Sequence, residues 1–185
     1  MKARPTTACA RGSQAKRERL LEAAALLIVD RGVTHLTLDA VREAAEISKG
    51  GLLYYFDSKA ALLAALVDML AERFVGEVEA RVTDSAHARA PLAHAYLETV
   101  ASMGDASSRH TCKALSAICM AHPELLANVR ARLARIARNR EPPGTDPLHS
   151  LRLRLIADGL WLAQLFDHQD IDPNLWTALL QSLRE

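Results

Sequence analysis

The stretch TLDAVREAAEISKGGLLYYF, residues 37–56, decides how the rest of the chain is read. Thr37 and Ser48 each precede a short run of helix formers, and a hydroxyl at such a position accepts from an orphan amide of the first turn. Leu38, Val41 and Ala44 or Ala45 fall on one face of the first run. The spacing predicts two short capped helices joined at Glu46–Ile47 and packed as a unit. That is the arrangement of a helix-turn-helix, whose second helix enters the DNA major groove while the first crosses the backbone. Gly50 and Gly51 remove side chains near the start of the second helix, where it must approach base edges closely. Adjacent glycines cost a helix about 1 kcal/mol each relative to alanine, so close approach is a reason to keep them. Lys49 brings a cation to the same end, whose amides favour phosphate oxygens. The competing reading is an ordinary turn between core helices, with the glycines serving packing.

Working outward, Leu20, Ala24, Leu27 and Ile28 recur at helical spacing, so a first helix is expected from Lys16 to Gly32, where glycine stops it. Residues 1–15 (MKARPTTACARGSQA) show no apolar period and are expected to form an unstructured basic arm. Ser58 caps a fourth helix running from Lys59 to about Arg81, with Leu62, Leu66, Met69 or Leu70, and Phe74 facing inward. Further helical patterns follow at about 91–104, 108–121, 123–140, 147–168 and 172–184. Pro91, Pro123, Pro147 and Pro173 lie near their starts, where a missing N–H costs nothing. The segment EPPGTD, 141–146, reads as a loop. There is no repeat and no convincing strand.

The start KRERLLEAAALLIVDRG at 16–32 is followed by Thr37–Leu38, Ala44–Ala45, Ile47–Ser48, Lys49–Gly50, Tyr54–Tyr55–Phe56 and Ser58–Lys59 before Leu62–Leu63. With these motifs at this spacing, residues 16–75 resemble the DNA-binding domain of the tetracycline-repressor (TetR) family of bacterial transcription regulators. The resemblance implies an all-α fold of about nine helices. A three-helix DNA-binding domain would span 16–57, and a ligand-binding and dimerisation domain 58–185, with the helix from 58 as connector. It also implies a homodimer on palindromic operator DNA, with repression relieved by a small-molecule effector. By position, Thr37 would hold a phosphate, and Ser48, Lys49, Gly50 and Gly51 would lie at bases or flanking phosphates. Tyr54 and Lys59 would grip the DNA backbone, while Leu52, Tyr55 and Phe56 match packing positions. Three residues depart from the family pattern. Glu46 replaces a common turn glycine, Gly51 a small polar residue, and Leu53 a frequent phosphate-binding tyrosine. If the backbone at 46 is left-handed, a non-glycine residue there costs roughly 1–2 kcal/mol.

In the carboxy-terminal half, LHSLRLRLIADGLWLAQLFDH at 148–168 is apolar on two sides. Leu151, Leu155, Leu162 and Phe166 form one stripe, and Leu153, Ile156, Leu160 and Trp161 another. A helix apolar on both sides is buried on both. Leu153, Ile156 and Leu160, with Leu175, Trp176, Leu179 and Leu183 of the last helix, are expected at a two-fold four-helix interface; a purely internal core is the alternative. The helices over 91–140 are expected to wall an effector cavity. Tyr96, Met103, Cys112, Ser116, Cys119 and Met120 would line it, joined by Asp158 and Trp161, although the same residues fill ordinary cores. Asp158, a carboxylate in an apolar helix, needs a partner in the protein or in a ligand. RARLARIARNR at 130–140 reads as a solvated basic face.

Composition agrees. In 185 residues, half are apolar, only 4% are aromatic, and glycine and proline are few, which disfavours β-sandwich and low-complexity chains. No apolar run is long enough for a membrane helix, and no secretory h-region follows the basic start, so a cytoplasmic protein with no membrane partner is expected. Net charge is +1, but residues 1–59 hold ten Lys and Arg against seven Asp and Glu, an asymmetry that suits a polyanion. Cys9, Cys112 and Cys119 show no ligand spacing, and the seven histidines are scattered. No nucleophile elbow, phosphate loop or dinucleotide fingerprint is present. The expectation is a non-enzymatic regulator without cofactor or metal. The alternative is a helical protein-interaction module without sequence-specific DNA binding.

Overall fold

The computed structural model describes residues 7–84, 89–102, 106–138, 141–165 and 172–182. Among them the chain is all-α, with nine helices: α1 (Thr7–Arg31), α2 (Leu38–Ala44), α3 (Lys49–Tyr55), α4 (Lys59–Asp84), α5 (Pro91–Ala101), α6 (Ala106–Ala121), α7 (Leu126–Arg138), α8 (Pro147–Leu165) and α9 (Pro173–Ser182). Single 3-10 turns at Val33–His35 and Pro123–Leu125 precede α2 and α7. The expected punctuation operates. Gly32 ends α1 at φ 81, and the four prolines each open a helix or 3-10 turn. The loop after 140 does more than connect. Glu141 accepts from the amides of Leu92 and Ala93 at 3.0 and 2.8 Å, capping α5, and from the Ser150 hydroxyl at 3.1 Å.

One boundary differs from expectation. α1 begins at Thr7, so residues 7–15 of the expected unstructured arm are helical; residues 1–6 lie outside the described residues. The segment has no apolar stripe, but Ala8, Ala10, Gln14 and Ala15 are good helix formers, and continuing an existing helix avoids the cost of nucleation.

Two buried clusters organise the packing. The first joins Leu20, Leu21, Ala24 and Ile28 of α1 to Val41, Ala45, Leu52, Phe56, Leu62, Leu63 and Leu66. Ala114, Leu115 and Ile118 of α6 and Val129 of α7 belong to it as well, so α6 packs directly on α1 and on the 3-10 turn before α2. The second cluster gathers Phe74, Val75 and Val78 of α4 with Ala93, Leu97 and Val100 of α5 and Leu153, Ala157 and Leu160 of α8. Leu133 and Trp161 pack against both.

The two stripes of α8 do not divide as expected. Leu153 and Leu160 are buried within the chain and Ile156 packs against the same cluster, so these three are not a free face. The exposed stripe is Leu148, Leu151, Leu155 and Leu162, with Leu155 61% exposed. Both stripes are equally apolar, so periodicity alone cannot rank them. The inner one contains Ala157, which with Ala93 of α5 is almost wholly buried and lets the two helices approach closely. On α9, Leu175 and Leu179 are exposed as a second apolar surface; Leu183 and the Trp176 side chain lie outside the described residues. No helix among the described residues is long and apolar enough to cross a membrane.

Candidate nucleic-acid interface

Local chemistry builds the α2–α3 unit. Thr37 Oγ1 accepts from the Ala40 amide at 3.1 Å and opens α2; Ser48 Oγ accepts from the Gly51 amide at 3.2 Å and opens α3. α2 closes with Ile47 N donating to Arg42 O at 3.0 Å and Glu46 N to Glu43 O at 3.1 Å. Glu46 sits between them at φ 53, the left-handed residue that this paired-bond helix ending requires. Arg19 Nη2 donates to Ala45 O at 2.7 Å and satisfies a carbonyl at the same turn.

α3 is held from beneath by Leu52 and Phe56, both buried, while Lys49, Gly50, Leu53 and Tyr54 are exposed. Tyr54 is 79% exposed and stands edge-on to Tyr55 at a ring distance of 5.0 Å. Tyr55 shares a 3.0 Å hydrogen bond with Ser13 of α1, and the Arg17 guanidinium lies 5.5 Å from the Phe56 ring centre. Thr37 and Ser48 are exposed as well, so five of the seven expected contact residues stand in solvent.

The other two have internal explanations. A Cβ on Gly51 would come within 2.9 Å of Ile47 Cγ2 and 3.1 Å of Ser48 Oγ, so the missing side chain serves the packing of the turn and its cap. Gly50 meets nothing within 4 Å, so of the two adjacent glycines it is the one whose bareness internal packing does not explain. Lys59 is half-buried and donates from Nζ to Val33 O at 3.0 Å, tying α4 to the 3-10 turn. The ammonium retains donors for a phosphate, but part of its role is structural.

In the carboxy-terminal half, the structure brings several expected effector residues together around Phe74. The Phe74 ring meets Tyr96 at 5.7 Å and Trp161 at 5.0 Å, both edge-on. Tyr96 Oη donates to Asp158 Oδ1 at 2.7 Å, and Trp161 Nε1 donates to Ser116 Oγ at 2.9 Å. Asp158 thus has a partner within the chain. Burial, then the Asp158 carboxylate, pushes the Tyr96 phenol well above its ordinary range. Cys112 is buried, and burial, then Glu77, raises its thiol strongly; burial raises Cys119 too. Both remain thiols at neutral pH, not the thiolates that redox chemistry uses. Cys119 packs against the first cluster. Met120 is 68% exposed, on the side of α6 away from Ala114, Leu115 and Ile118, so it does not join the Phe74 group. Met103 lies outside the described residues. Phe74 itself reads in the sequence only as a core residue of α4; its place as the hub depends on α5 and α8 meeting there. An open groove of about 420 Å³ also lies where α1, α4 and α7 meet, with Arg17, Asp68, Glu72 and Arg132 above Leu21 and Met69.

Comparison with known proteins places both halves. Residues 20–66 match the model for bacterial regulatory proteins, tetR family, and residues 90–185 match that for the tetracyclin repressor-like, C-terminal domain. A TetR-family member from Streptomyces coelicolor A3 is 22% identical with a TM-score of 0.65, covering 92% of this chain and 98% of that one. The multidrug binding protein EbrR complexed with ethidium gives 20% and 0.62, over 91% of this chain and 97% of its own. NalD from Pseudomonas aeruginosa, the secondary repressor of the MexAB-OprM multidrug efflux pump, gives 21% and 0.55, over 93% and 95%. At such identities these structures establish likeness of fold. No curated protein matches the chain significantly.

Proposed function

The chain belongs to the tetracycline-repressor family of transcriptional regulators, and from that premise we propose that it is a homodimeric repressor of palindromic operator DNA, released by a small-molecule effector. The observation that carries this reading is the division of α3 into a buried face, Leu52 and Phe56, and an exposed face, Lys49, Gly50 and Tyr54. A bare Gly50 beside a cation at the start of a helix suits close approach to base edges. Thr37, Ser48, Tyr54 and Lys59 supply donors for phosphates on either side, contacts that fix register rather than sequence.

The two recognition helices must be paired by the rest of the chain. Leu148, Leu151, Leu155 and Leu162 of α8, with Leu175 and Leu179 of α9, form the apolar surface for that pairing. Exposed leucines at this density are characteristic of an interaction surface. A two-fold axis through it would present two copies of α3 to successive major grooves.

The effector site belongs to the group around Phe74, whose aromatic edges, carboxylate and hydroxyls suit a ring-bearing small molecule; the complex of EbrR with ethidium offers a precedent in a like fold. Coupling follows from α6. This helix carries Cys112 and Ser116 near the group and packs Ala114, Leu115 and Ile118 against α1. A ligand that displaces Trp161 or Ser116 therefore moves the support of the DNA-binding helices, and by linkage DNA binding alters ligand affinity equally. The reading is tested by incubating the protein with a random-sequence duplex pool at physiological salt and sequencing what is retained. Enrichment of a palindrome supports it. Retention without sequence preference, or none, would favour the interaction module.

A further inference from the structure

Resting on the DNA-binding reading above, we infer that Ser13 is a positioning residue for recognition, holding Tyr54 against the duplex through Tyr55. Ser13 lies in the first turns of α1, ahead of the residues that match the family model, which begin at 20. Its hydroxyl shares a 3.0 Å hydrogen bond with Tyr55 Oη across 42 residues of sequence. The Tyr55 ring in turn lies perpendicular to that of Tyr54, at 5.0 Å and 86°. Tyr54 is the largest side chain that α3 leaves in solvent, 79% exposed.

The chemistry of this chain of contacts is directional. Tyr55 is only half-buried and lies at the carboxy-terminal end of α3. Its ring packs on the first buried cluster, which holds the inner part of the side chain. A hydrogen bond at Oη fixes that end. With Tyr55 held at both ends, its ring beside Tyr54 restricts the directions Tyr54 takes. An exposed tyrosine that must meet a phosphate at one place loses less entropy on binding when its direction is already restricted. Ser13 lies within the part of α1 that extends beyond the expected start at Lys16, so this extension places its hydroxyl beside Tyr55. Arg17 over Phe56 at 5.5 Å and Arg19 on Ala45 at 2.7 Å come from the same helix. α1 thus grips the turn before α3 and the end after it, and Ser13 is the grip adjacent to the exposed tyrosine.

The test uses the full chain and the duplex it enriches from a random pool, with affinity read by fluorescence anisotropy of that labelled duplex. Ser13→Ala and Tyr55→Phe are each expected to weaken binding by roughly three- to ten-fold, the range of one net hydrogen bond. The double variant should lose no more than either alone. In a Tyr54→Ala background Ser13→Ala should cost less than about two-fold, and Ser13→Thr, which keeps the hydroxyl, should bind nearly as the parent does. Equal loss from Ser13→Ala with and without Tyr54 would overturn the assignment, since a merely structural role acts in both backgrounds. Unchanged affinity for Ser13→Ala overturns it too, as does a Ser13→Thr variant as weak as the alanine. A parent chain that enriches no duplex overturns the DNA-binding reading and this assignment with it, whereas an enriched duplex bound alike by parent and Ser13→Ala overturns the assignment alone.

Discussion

Arg19 reaches across 26 residues to donate a 2.7 Å hydrogen bond to the carbonyl of Ala45, the residue that caps the end of α2. A guanidinium there meets the negative end of the α2 dipole and satisfies an otherwise open acceptor. Replacing Arg19 by methionine keeps an apolar stem but removes the donor. The half-exposed position limits the loss to about 1 kcal/mol, seen as a melting temperature lower by roughly 2–4 °C.

Glu46 stands next to that carbonyl at φ 53. Its carboxylate is 3.9 Å from Arg19 and largely exposed, so the pair contributes little. Left-handed backbone is strained for any residue with a Cβ, and relief of that strain outweighs the extra freedom glycine brings to the unfolded chain. Glu46→Gly is therefore expected to raise the melting temperature by roughly 2 °C. A lower value would show that Arg19–Glu46 matters more than its geometry indicates.

Lys49 and Lys59 are both expected to contact phosphate, yet only Lys59 also holds the Val33 carbonyl. Each alanine variant should reduce the dependence of log affinity on log salt by about one unit, across all sequences alike. Only Lys59→Ala should also lower the melting temperature. Calorimetry beside a salt titration separates the two effects.

The division of α8 into a buried and an exposed stripe makes a paired prediction. Leu155→Glu, on the exposed stripe, should leave the monomer folded and shift sedimentation from dimer to monomer. Leu153→Ala, on the buried stripe, should instead cost roughly 2–5 kcal/mol of stability through the cavity it opens. If Leu155→Glu remains dimeric, the pairing surface lies elsewhere.

Tyr96 and Cys112 bind their protons more tightly in the folded chain than in the unfolded one, through burial first and then through Asp158 and Glu77 respectively. The stabilisation this gives is complete below about pH 7.5, where both groups are protonated in either state. It is lost as pH rises toward the raised folded values. The melting temperature should fall between about pH 9 and 11, and fall less steeply in the Tyr96→Phe/Cys112→Ala double variant.

What the sequence disclosed follows the range of the interactions. Thr37, Ser48 and Ser58 each cap a helix by accepting from an amide three residues on, so the helix-turn-helix and its boundaries could be read locally. The left-handed turn at Glu46 was legible through its departure from the family pattern. The contacts that orient α3 were not, because Ser13–Tyr55 and Arg19–Ala45 join residues 42 and 26 apart and leave no period. For Gly51 the sequence offers two uses, base approach and internal packing, and the second rests on the position of Ile47 Cγ2, which no local pattern fixes. The inner stripe of α8 was hidden for a related reason: two equal apolar faces differ only in what lies opposite.

The sharing of one buried cluster between α1 and α6 bears on how such proteins are recombined. Ala114, Leu115 and Ile118 seal the underside of the first helix, so a fragment cut after α4 would carry an open seam of leucines into water. The helix-turn-helix half is therefore not a portable cassette. A chimera that grafts it onto a foreign sensor should fold and repress only if the matching surface of α6 travels with it.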